Sequence, residues 1–238
     1  MSTFEVDPGR PDGCSDALGE AASALDAGGL VVLPTETVYG IACRPDLPEA
    51  TDRLFAAKQR PGTLNLPILV ASAEEAWLVG IRSDQAERLA DHFWPGPLTV
   101  VLRRTDHSLA WSLGERRQSV GVRVPDHPIA TALLQRTGPL AVTSANLSGR
   151  PPLDDRVAIE ATFAAAASVI LVLPPDAPRP EGASSTVVDL TQALGVSVLA
   201  QPLILREGPI DRHELAGVLG FVFIPPPSAP ESAPGGTR

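Results

Sequence analysis

Short apolar runs alternate with longer amphipathic segments along most of the chain. Apolar residues that recur every three or four positions predict helices, and short continuous apolar runs predict buried strands. The amphipathic segments predict helices at 15–27, 48–58, 83–93, 128–136 and 154–167. The apolar runs predict strands at 30–33, 67–71, 98–103, 119–124, 140–143, 169–173, 185–190, 196–199 and 203–206. Ser15 and Ser83 stand where the first and third helices would be capped.

Strands that alternate with helices are typical of an α/β fold, in which helices pack on the faces of a sheet. Two strands that follow one another without an intervening helix, at 98–103 and 119–124, favour an antiparallel pair within that sheet. We therefore expect one α/β domain at 15–222, built on a twisted mixed parallel and antiparallel sheet flanked by helices. Residues 1–14 are expected to be flexible, and the Pro-rich tail at 223–238 is expected to be disordered.

Composition narrows the class of protein. With 238 residues and 44% hydrophobic content, the chain is long enough for one well-buried core. A net charge of −9 argues against a protein that covers nucleic acid by general electrostatic attraction, so any phosphate must be held by local positive charge. The two cysteines form no disulfide framework, and neither a signal peptide nor a membrane-spanning run is evident. We expect a cytoplasmic protein with no membrane contact.

Polar side chains gather at the ends of the predicted strands, where a rigid scaffold holds ligand-binding groups. Lys58 is the only lysine, whereas the other basic residues are all arginine. The candidates are Thr35 in the elbow after 30–33, Lys58 and Arg60, Ser119 and Arg123, Ser144 and Asn146, Ser185, and Arg206. Lysine and arginine suit phosphate and carboxylate groups, and hydroxyl and amide groups orient a small polar ligand. The pattern indicates a site for an anion and an amino acid.

Each candidate also has a purely structural interpretation. Lys58 and Arg60 fit a solvated helix end, and Ser144 and Asn146 fit a turn that bonds its own backbone. The chain has no P-loop, no G-x-G-x-x-G fingerprint, no G-x-S-x-G and no H-E-x-x-H. Nucleotide binding by those motifs and the corresponding hydrolase chemistries are therefore excluded.

Taken together and in this order, the segments resemble the threonylcarbamoyl-AMP synthase family, which has the YrdC-like fold. The matching segments are PTETVYG at 34–40, KQRP at 58–61, WPGPLT at 94–99, VRVP at 122–125, TSANLSG at 143–149 and STVVD at 185–189. They extend over most of the chain and resemble the single-domain form of the family. Many members carry a histidine shortly after the Lys-x-Arg motif, where this chain has PILVAS at 67–72.

The resemblance implies an enzyme that joins L-threonine, bicarbonate and ATP into threonylcarbamoyl-AMP and releases pyrophosphate, with Mg²⁺ accompanying ATP. By the same resemblance, the catalytic residues are Lys58, Arg60, Ser144 and Asn146. L-threonine is expected at Thr35, Arg123, Ser144 and Ser185, and ATP at Lys58, Gly62, Ser119, Asn146 and Arg206. No residue is expected to hold a metal of its own.

The implied partner is a tRNA-modifying threonylcarbamoyltransferase complex, which passes the product to an adenosine of tRNA. Two alternatives stand beside this reading. One is a catalytically weak paralogue of the same fold that binds double-stranded RNA or tRNA. The other is a carbamoyltransferase module, a class that usually carries further domains.

Overall fold

The computed structural model describes residues 1–59, 62–192 and 202–220. Its strands are β1 (Ser2–Glu5), β2 (Leu30–Leu33), β3 (Gly40–Cys43), β4 (Ile68–Leu69), β5 (Leu98–Arg103), β6 (Ser119–Arg123), β7 (Leu140–Ser144), β8 (Ala167–Val172), β9 (Thr186–Asp189) and β10 (Leu203–Arg206). Its helices are α1 (Ser15–Asp26), α2 (Pro48–Lys58), α3 (Ala73–Val79), α4 (Asp84–Phe93), α5 (Asp106–Leu109), α6 (Pro128–Thr137), α7 (Arg156–Phe163) and α8 (Arg212–Leu219). None of the described helices is both long and apolar enough to cross a bilayer.

The strands form one sheet in the order β1-β8-β2-β3-β7-β4-β6-β5-β9-β10. Pairing is parallel for β1 with β8, β2 with β8, β4 with β6 and β5 with β9. It is antiparallel for β2 with β3, β3 with β7, β4 with β7, β5 with β6 and β9 with β10. The predicted mixed sheet flanked by helices is therefore confirmed, including the antiparallel β5–β6 pair.

The two faces of the sheet are covered unequally. Along β2, Leu30 and Val32 join one apolar layer while Val31 and Leu33 join the other, because successive strand side chains point to opposite faces. The second layer contains the buried faces of α1 and α6, together with residues of β2, β3, β4, β7 and β8. It contains no residue of β5, β6, β9 or β10, so this face is left open over that half of the sheet. A cavity lies on this open area.

Several predicted elements agree closely with the structure. Helix α2 and strands β2, β5 and β10 have the predicted bounds, and α6 is one residue longer. Helix α4 is capped as expected, since the Ser83 side chain accepts a hydrogen bond from the backbone of Ala86.

Other predictions are wrong in detail. Ser15 does not cap α1, because a 3-10 turn at Pro11–Cys14 runs directly into the helix and Ser15 is its first residue. Residues 2–5, within the segment expected to be flexible, form β1 and pair in parallel with β8. The helix predicted at 154–167 ends at Phe163, because Ala167 is the first residue of β8, which pairs with β2.

Some elements carry no simple sequence pattern. Strand β3, and helices α3, α5 and α8, were not expected, and only two residues of the strand predicted at 67–71 are paired. The strand predicted at 196–199 and the whole tail predicted at 223–238 lie outside the described residues.

Candidate active site

A cavity of about 510 Å³ opens on the uncovered half of the sheet. Its floor is built by alternate residues of two central strands: Thr99 and Val101 on β5, and Ser119, Gly121 and Arg123 on β6. The floor has no side chain at Gly121, and a Cβ atom there would crowd the Cγ2 atom of Thr99 at 3.1 Å. The volume is that of a pocket for a small-molecule ligand.

The cavity walls combine hydroxyls with guanidinium groups. Among the described residues, no Asp or Glu side chain lines it. Its polar side chains are Thr35, Thr37, Thr63, Asn65, Thr99, Arg116, Ser119, Arg123, Thr143, Ser144, Ser184, Ser185 and Arg206. Such a lining favours an anionic ligand with hydroxyl or amine groups.

The elbow after β2 turns Thr35 into the cavity wall. Its hydroxyl donates to the carbonyl of Val38 at 2.5 Å and accepts from the backbone N–H groups of Thr37 and Val38. It also lies 3.0 Å from the hydroxyl of Thr37. The elbow is thus held by its own side chain, and β3 then pairs with β7 so that Gly40 stands opposite Ser144.

Arg123 is held by three acceptors from two distant segments. Its Nε donates to the Gly96 carbonyl at 3.0 Å, its Nη1 to the Thr37 hydroxyl at 2.9 Å, and its Nη2 to the Glu36 carboxylate at 2.5 Å. The Glu36 and Arg123 side chains are only 18% and 8% exposed. A guanidinium carries five N–H donors, so two remain for a bound carboxylate.

Lys58 lies behind the cavity wall and not on it. Its Nζ donates to the Ser144 carbonyl and, at 3.1 Å, to Oδ1 of Asn146, and only 1% of the residue is exposed. The Ser144 hydroxyl donates to the same Asn146 oxygen at 2.5 Å, and the Asn146 amide donates to the carbonyls of Leu147 and Arg150. The lysine therefore fixes the turn that presents Ser144.

Three of the four predicted catalytic residues are thus brought together, whereas Arg60 lies outside the described residues. Lys58 sits there because it is the last residue of α2, and its carbonyl accepts a hydrogen bond from the backbone of Ser148. The C-terminal end of α2 therefore contacts the turn that follows the buried strand β7. The solvated helix end that also fitted the sequence at Lys58 is wrong, because the ammonium is buried.

Ser185 and Arg206 close the opposite wall. The Ser185 hydroxyl is 2.8 Å from the hydroxyl of Thr99, and Arg206 donates to both the carbonyl and the hydroxyl of Ser185. Partial burial lowers the pKa of Arg206, and the positive charge of Arg123 lowers it further. The guanidinium stays charged, so a bound anion would relieve the repulsion between the two arginines.

The predicted ATP residues lie in three places. Ser119 and Arg206 line the cavity, and Lys58 and Asn146 lie behind Ser144. Gly62 does not line it: this glycine faces a neighbouring depression with Glu115, whose backbone N–H donates to the Gly62 carbonyl at 2.9 Å.

Sequence reasoning missed several lining residues. Thr63, Leu64, Asn65 and Arg116 come from loops whose path no periodicity predicts. Pro67 and Leu69 form an apolar wall in the segment where many family members carry a histidine. Glu36 was visible inside the elbow, but nothing in the sequence marked its partner 87 residues away.

The profile of the Sua5/YciO/YrdC family, described as "Telomere recombination", matches residues 23–208. The chain belongs to this family. The matched range includes all of the predicted site residues, and the family predicted from the motifs is confirmed.

Two curated relatives and one solved structure illustrate the similarity of this Sua5/YciO/YrdC member. A Mycobacterium tuberculosis (strain H37Rv) relative is 38% identical over 220 residues, which are 92% of this chain and 96% of the relative. A Shigella boydii relative named threonylcarbamoyl-AMP synthase is 38% identical over 160 residues, 66% of this chain and 84% of the relative. The crystal structure of P. abyssi Sua5 complexed with L-threonine superposes with a TM-score of 0.73 at 30% identity, covering 93% of this chain and 60% of that one.

Proposed function

We propose that this chain is an L-threonylcarbamoyladenylate synthase, which makes threonylcarbamoyl-AMP and pyrophosphate from L-threonine, bicarbonate and ATP. The observation that carries the proposal is the cavity on the open half of the sheet, where Arg123 and Arg206 face the hydroxyls of Thr35, Ser144 and Ser185. Relatives named threonylcarbamoyl-AMP synthase and a related structure bound to L-threonine support it.

L-threonine has a carboxylate, an amine and a hydroxyl, and the cavity offers a partner for each. The two remaining donors of Arg123 take the carboxylate, because a guanidinium matches a carboxylate in charge and shape. Thr35, Ser144 and Ser185 supply hydroxyls for the amine and the hydroxyl. With guanidinium groups and no carboxylate among the described lining residues, the cavity favours the neutral amine over the ammonium.

The neutral amine is the form that reacts. Its nitrogen bonds to the carbon of bicarbonate and water leaves, which yields the carbamate. A carbamate oxygen then bonds to the α-phosphorus of ATP, the bond between that phosphorus and the bridging oxygen breaks, and pyrophosphate leaves. The protein contributes positioning and fixed positive charge, and no covalent enzyme intermediate is needed.

Lys58 and Asn146 act in this scheme through Ser144. The buried ammonium holds the carbonyl of Ser144 and the amide oxygen of Asn146, so it fixes the turn that meets the substrates and adds positive charge behind it. Arg60, from the same predicted set, is proposed to contact the phosphates. Ser119 and Arg206, which line the cavity, complete the proposed ATP site, whereas Gly62 borders the neighbouring depression.

Mg²⁺ is proposed to enter with ATP as part of that substrate. Among the described residues, no three His, Cys, Asp or Glu side chains come together as metal ligands, so the phosphates themselves are the natural ligands. The product is proposed to pass in the cytoplasm to a tRNA-modifying threonylcarbamoyltransferase complex.

The test is to incubate the purified full chain with ATP, Mg²⁺, bicarbonate and L-threonine, and to measure threonylcarbamoyl-AMP by mass spectrometry alongside pyrophosphate. Product that vanishes when threonine or bicarbonate is omitted is the expected result. Arg123→Ala should abolish threonine-dependent product, whereas Arg136→Ala, an arginine on the exposed side of α6, should not.

Intact ATP, together with tight binding of double-stranded RNA that weakens steeply with salt, would instead establish the non-catalytic paralogue. Turnover that needs carbamoyl phosphate and not threonine would establish the carbamoyltransferase.

A further inference from the structure

A second cavity of about 480 Å³ adjoins the main one and shares Arg116 and Ser119 with it. Three arginines, Arg103, Arg116 and Arg117, stand around it; we call them the arginine rim. The other lining residues, Gln118, Thr191 and Gln192, are neutral. The sequence alone suggested no role for these arginines, because basic pairs on a surface are common.

The backbone of the rim is clamped from the main cavity. The side chain of Asn65 accepts from the Arg116 backbone N–H at 3.0 Å and donates to the Arg116 carbonyl at 2.7 Å. The same amide donates to the Ser119 carbonyl at 3.2 Å. Arg103 is fixed independently, since it pairs with Ser119 across the β5–β6 ladder. The backbone positions from which the side chains of Arg103 and Arg116 project are therefore fixed.

The rim has no internal counter-charge. Within the described part of the chain, none of its three arginines forms an ion pair with a carboxylate. Glu115 and Asp52 line the neighbouring depression around Gly62, which Arg117 also borders, but neither carboxylate lines the second cavity. A concentration of positive charge without a carboxylate, on a chain of net charge −9, is what a polyanion site requires.

Strand β6 connects the rim to the proposed threonine end of the site. Ser119 begins the strand beside the rim, and Arg123 ends it at the threonine carboxylate. Four residues of extended strand at roughly 3.3 Å each separate them by about 13 Å. That span leaves room for a carbamate and one phosphate between the two ends. In-line displacement places the leaving group opposite the attacking carbamate, which is toward the rim.

We propose that the arginine rim binds the β- and γ-phosphates of ATP and holds the pyrophosphate once the bond to the α-phosphorus breaks. The assignment rests on the proposed synthase activity and adds the direction in which the nucleotide lies. A planar guanidinium can donate two parallel hydrogen bonds to phosphate oxygens, whereas an ammonium group acts as a point charge.

The experiment measures binding of inorganic pyrophosphate to the full-length protein by calorimetry, beside the steady-state KM values for ATP and L-threonine. Arg103→Ala combined with Arg117→Ala should weaken pyrophosphate binding at least tenfold and raise the KM for ATP, since a charged hydrogen bond contributes about a factor of ten or more. The KM for threonine should stay within twofold. Arg88→Ala, an exposed arginine on α4, is the matched control and should change neither.

Pyrophosphate affinity that is unchanged in the double variant would overturn the proposal. So would a variant that loses affinity for an RNA duplex while its affinity for pyrophosphate is kept. The two proposals fail separately: a protein that makes product with an unaltered KM for ATP in the variant refutes the rim alone. If the wild-type protein makes no product, while the double variant binds pyrophosphate more weakly than the wild type does, only the synthase proposal is refuted.

Discussion

The ion pair between Glu36 and Arg123 should be strongly coupled, because both side chains are largely buried. Replacing Arg123 by Met leaves the Glu36 carboxylate with its Oε2 atom already buried and without a hydrogen-bond partner among the described residues. Burial lowers the pKa of His127, and the negative charge of Glu36 acts in the opposite direction. In Arg123→Met, Glu36 loses its ion-pair partner and stays largely buried.

The expected loss follows from the two exposures, 18% for Glu36 and 8% for Arg123. Removing one partner of a buried pair costs about 3–5 kcal/mol, and the partial exposure of Glu36 places this pair near ~3 kcal/mol. For a domain of this length, that corresponds to a fall in Tm of about 6–12 °C. Glu36→Gln, which keeps the shape and removes the charge, should recover much of the loss when it is added to Arg123→Met.

The assay is a double-mutant cycle from urea unfolding, followed by the fluorescence of the three tryptophans. The expected coupling free energy is at least ~1.5 kcal/mol. The exposed pair of Arg82 and Glu87 carries the same residue types and is the control, which should show no measurable coupling. If Arg123→Met is equally destabilising with and without Glu36→Gln, with a coupling below ~0.5 kcal/mol, the reasoning from burial is refuted.

Three further predictions test the site and its surroundings. Lys58→Met should lower the yield of threonylcarbamoyl-AMP by about a hundredfold or more, because the turn at Ser144 loses its buried hydrogen-bond donor. The far-UV circular dichroism spectrum should be unchanged, which would show that the variant is folded. An unchanged yield would contradict this role for Lys58. Gly121→Ala should raise the KM for the substrates, because the added methyl group rises from the cavity floor and crowds Thr99; unaltered kinetics would show that the substrates do not bind in this cavity. Burial raises the pKa of Cys43 from its usual 9.0 to about 12. The folded chain therefore keeps a proton that the unfolded chain loses, so the contribution of Cys43 to stability is unaffected below pH 9 and falls between about pH 9 and 12. Cys43→Ala should flatten that part of the urea-unfolding profile, and an unchanged slope would show that the thiol is not so buried.

Local sequence features predicted those parts of the fold that depend on neighbours along the chain. The bounds of α2 follow from a proline at the first helical position and an amphipathic pattern, and the Ser83 cap follows from its side-chain oxygen. Prediction failed where a distant partner decided the outcome. Ala167 has high helix propensity, but pairing with β2 makes it a strand residue, and β1 exists only because the edge of β8 is available to it.

The site shows the same division. The elbow at 34–40 and the turn at 143–149 could be singled out because polar residues followed buried strands. That Lys58 would lie buried behind Ser144 could not be predicted, because 86 residues separate the two partners. Nor did the pattern show that Asn65 would clamp the backbone of Arg116.

The sequence by itself determined the family, the mixed α/β class, and the polar segments from which the site is built. The tertiary structure alone decided that the second apolar layer covers only part of one sheet face, which leaves the cavity over β5 and β6. It also decided which charges meet, as with Glu36 and Arg123, and which stay unpaired by carboxylates within the described chain, as in the arginine rim. The physical reason is that residue type and spacing determine local backbone preference, whereas burial and charge pairing depend on strand order, and strand order brings together residues far apart in the chain.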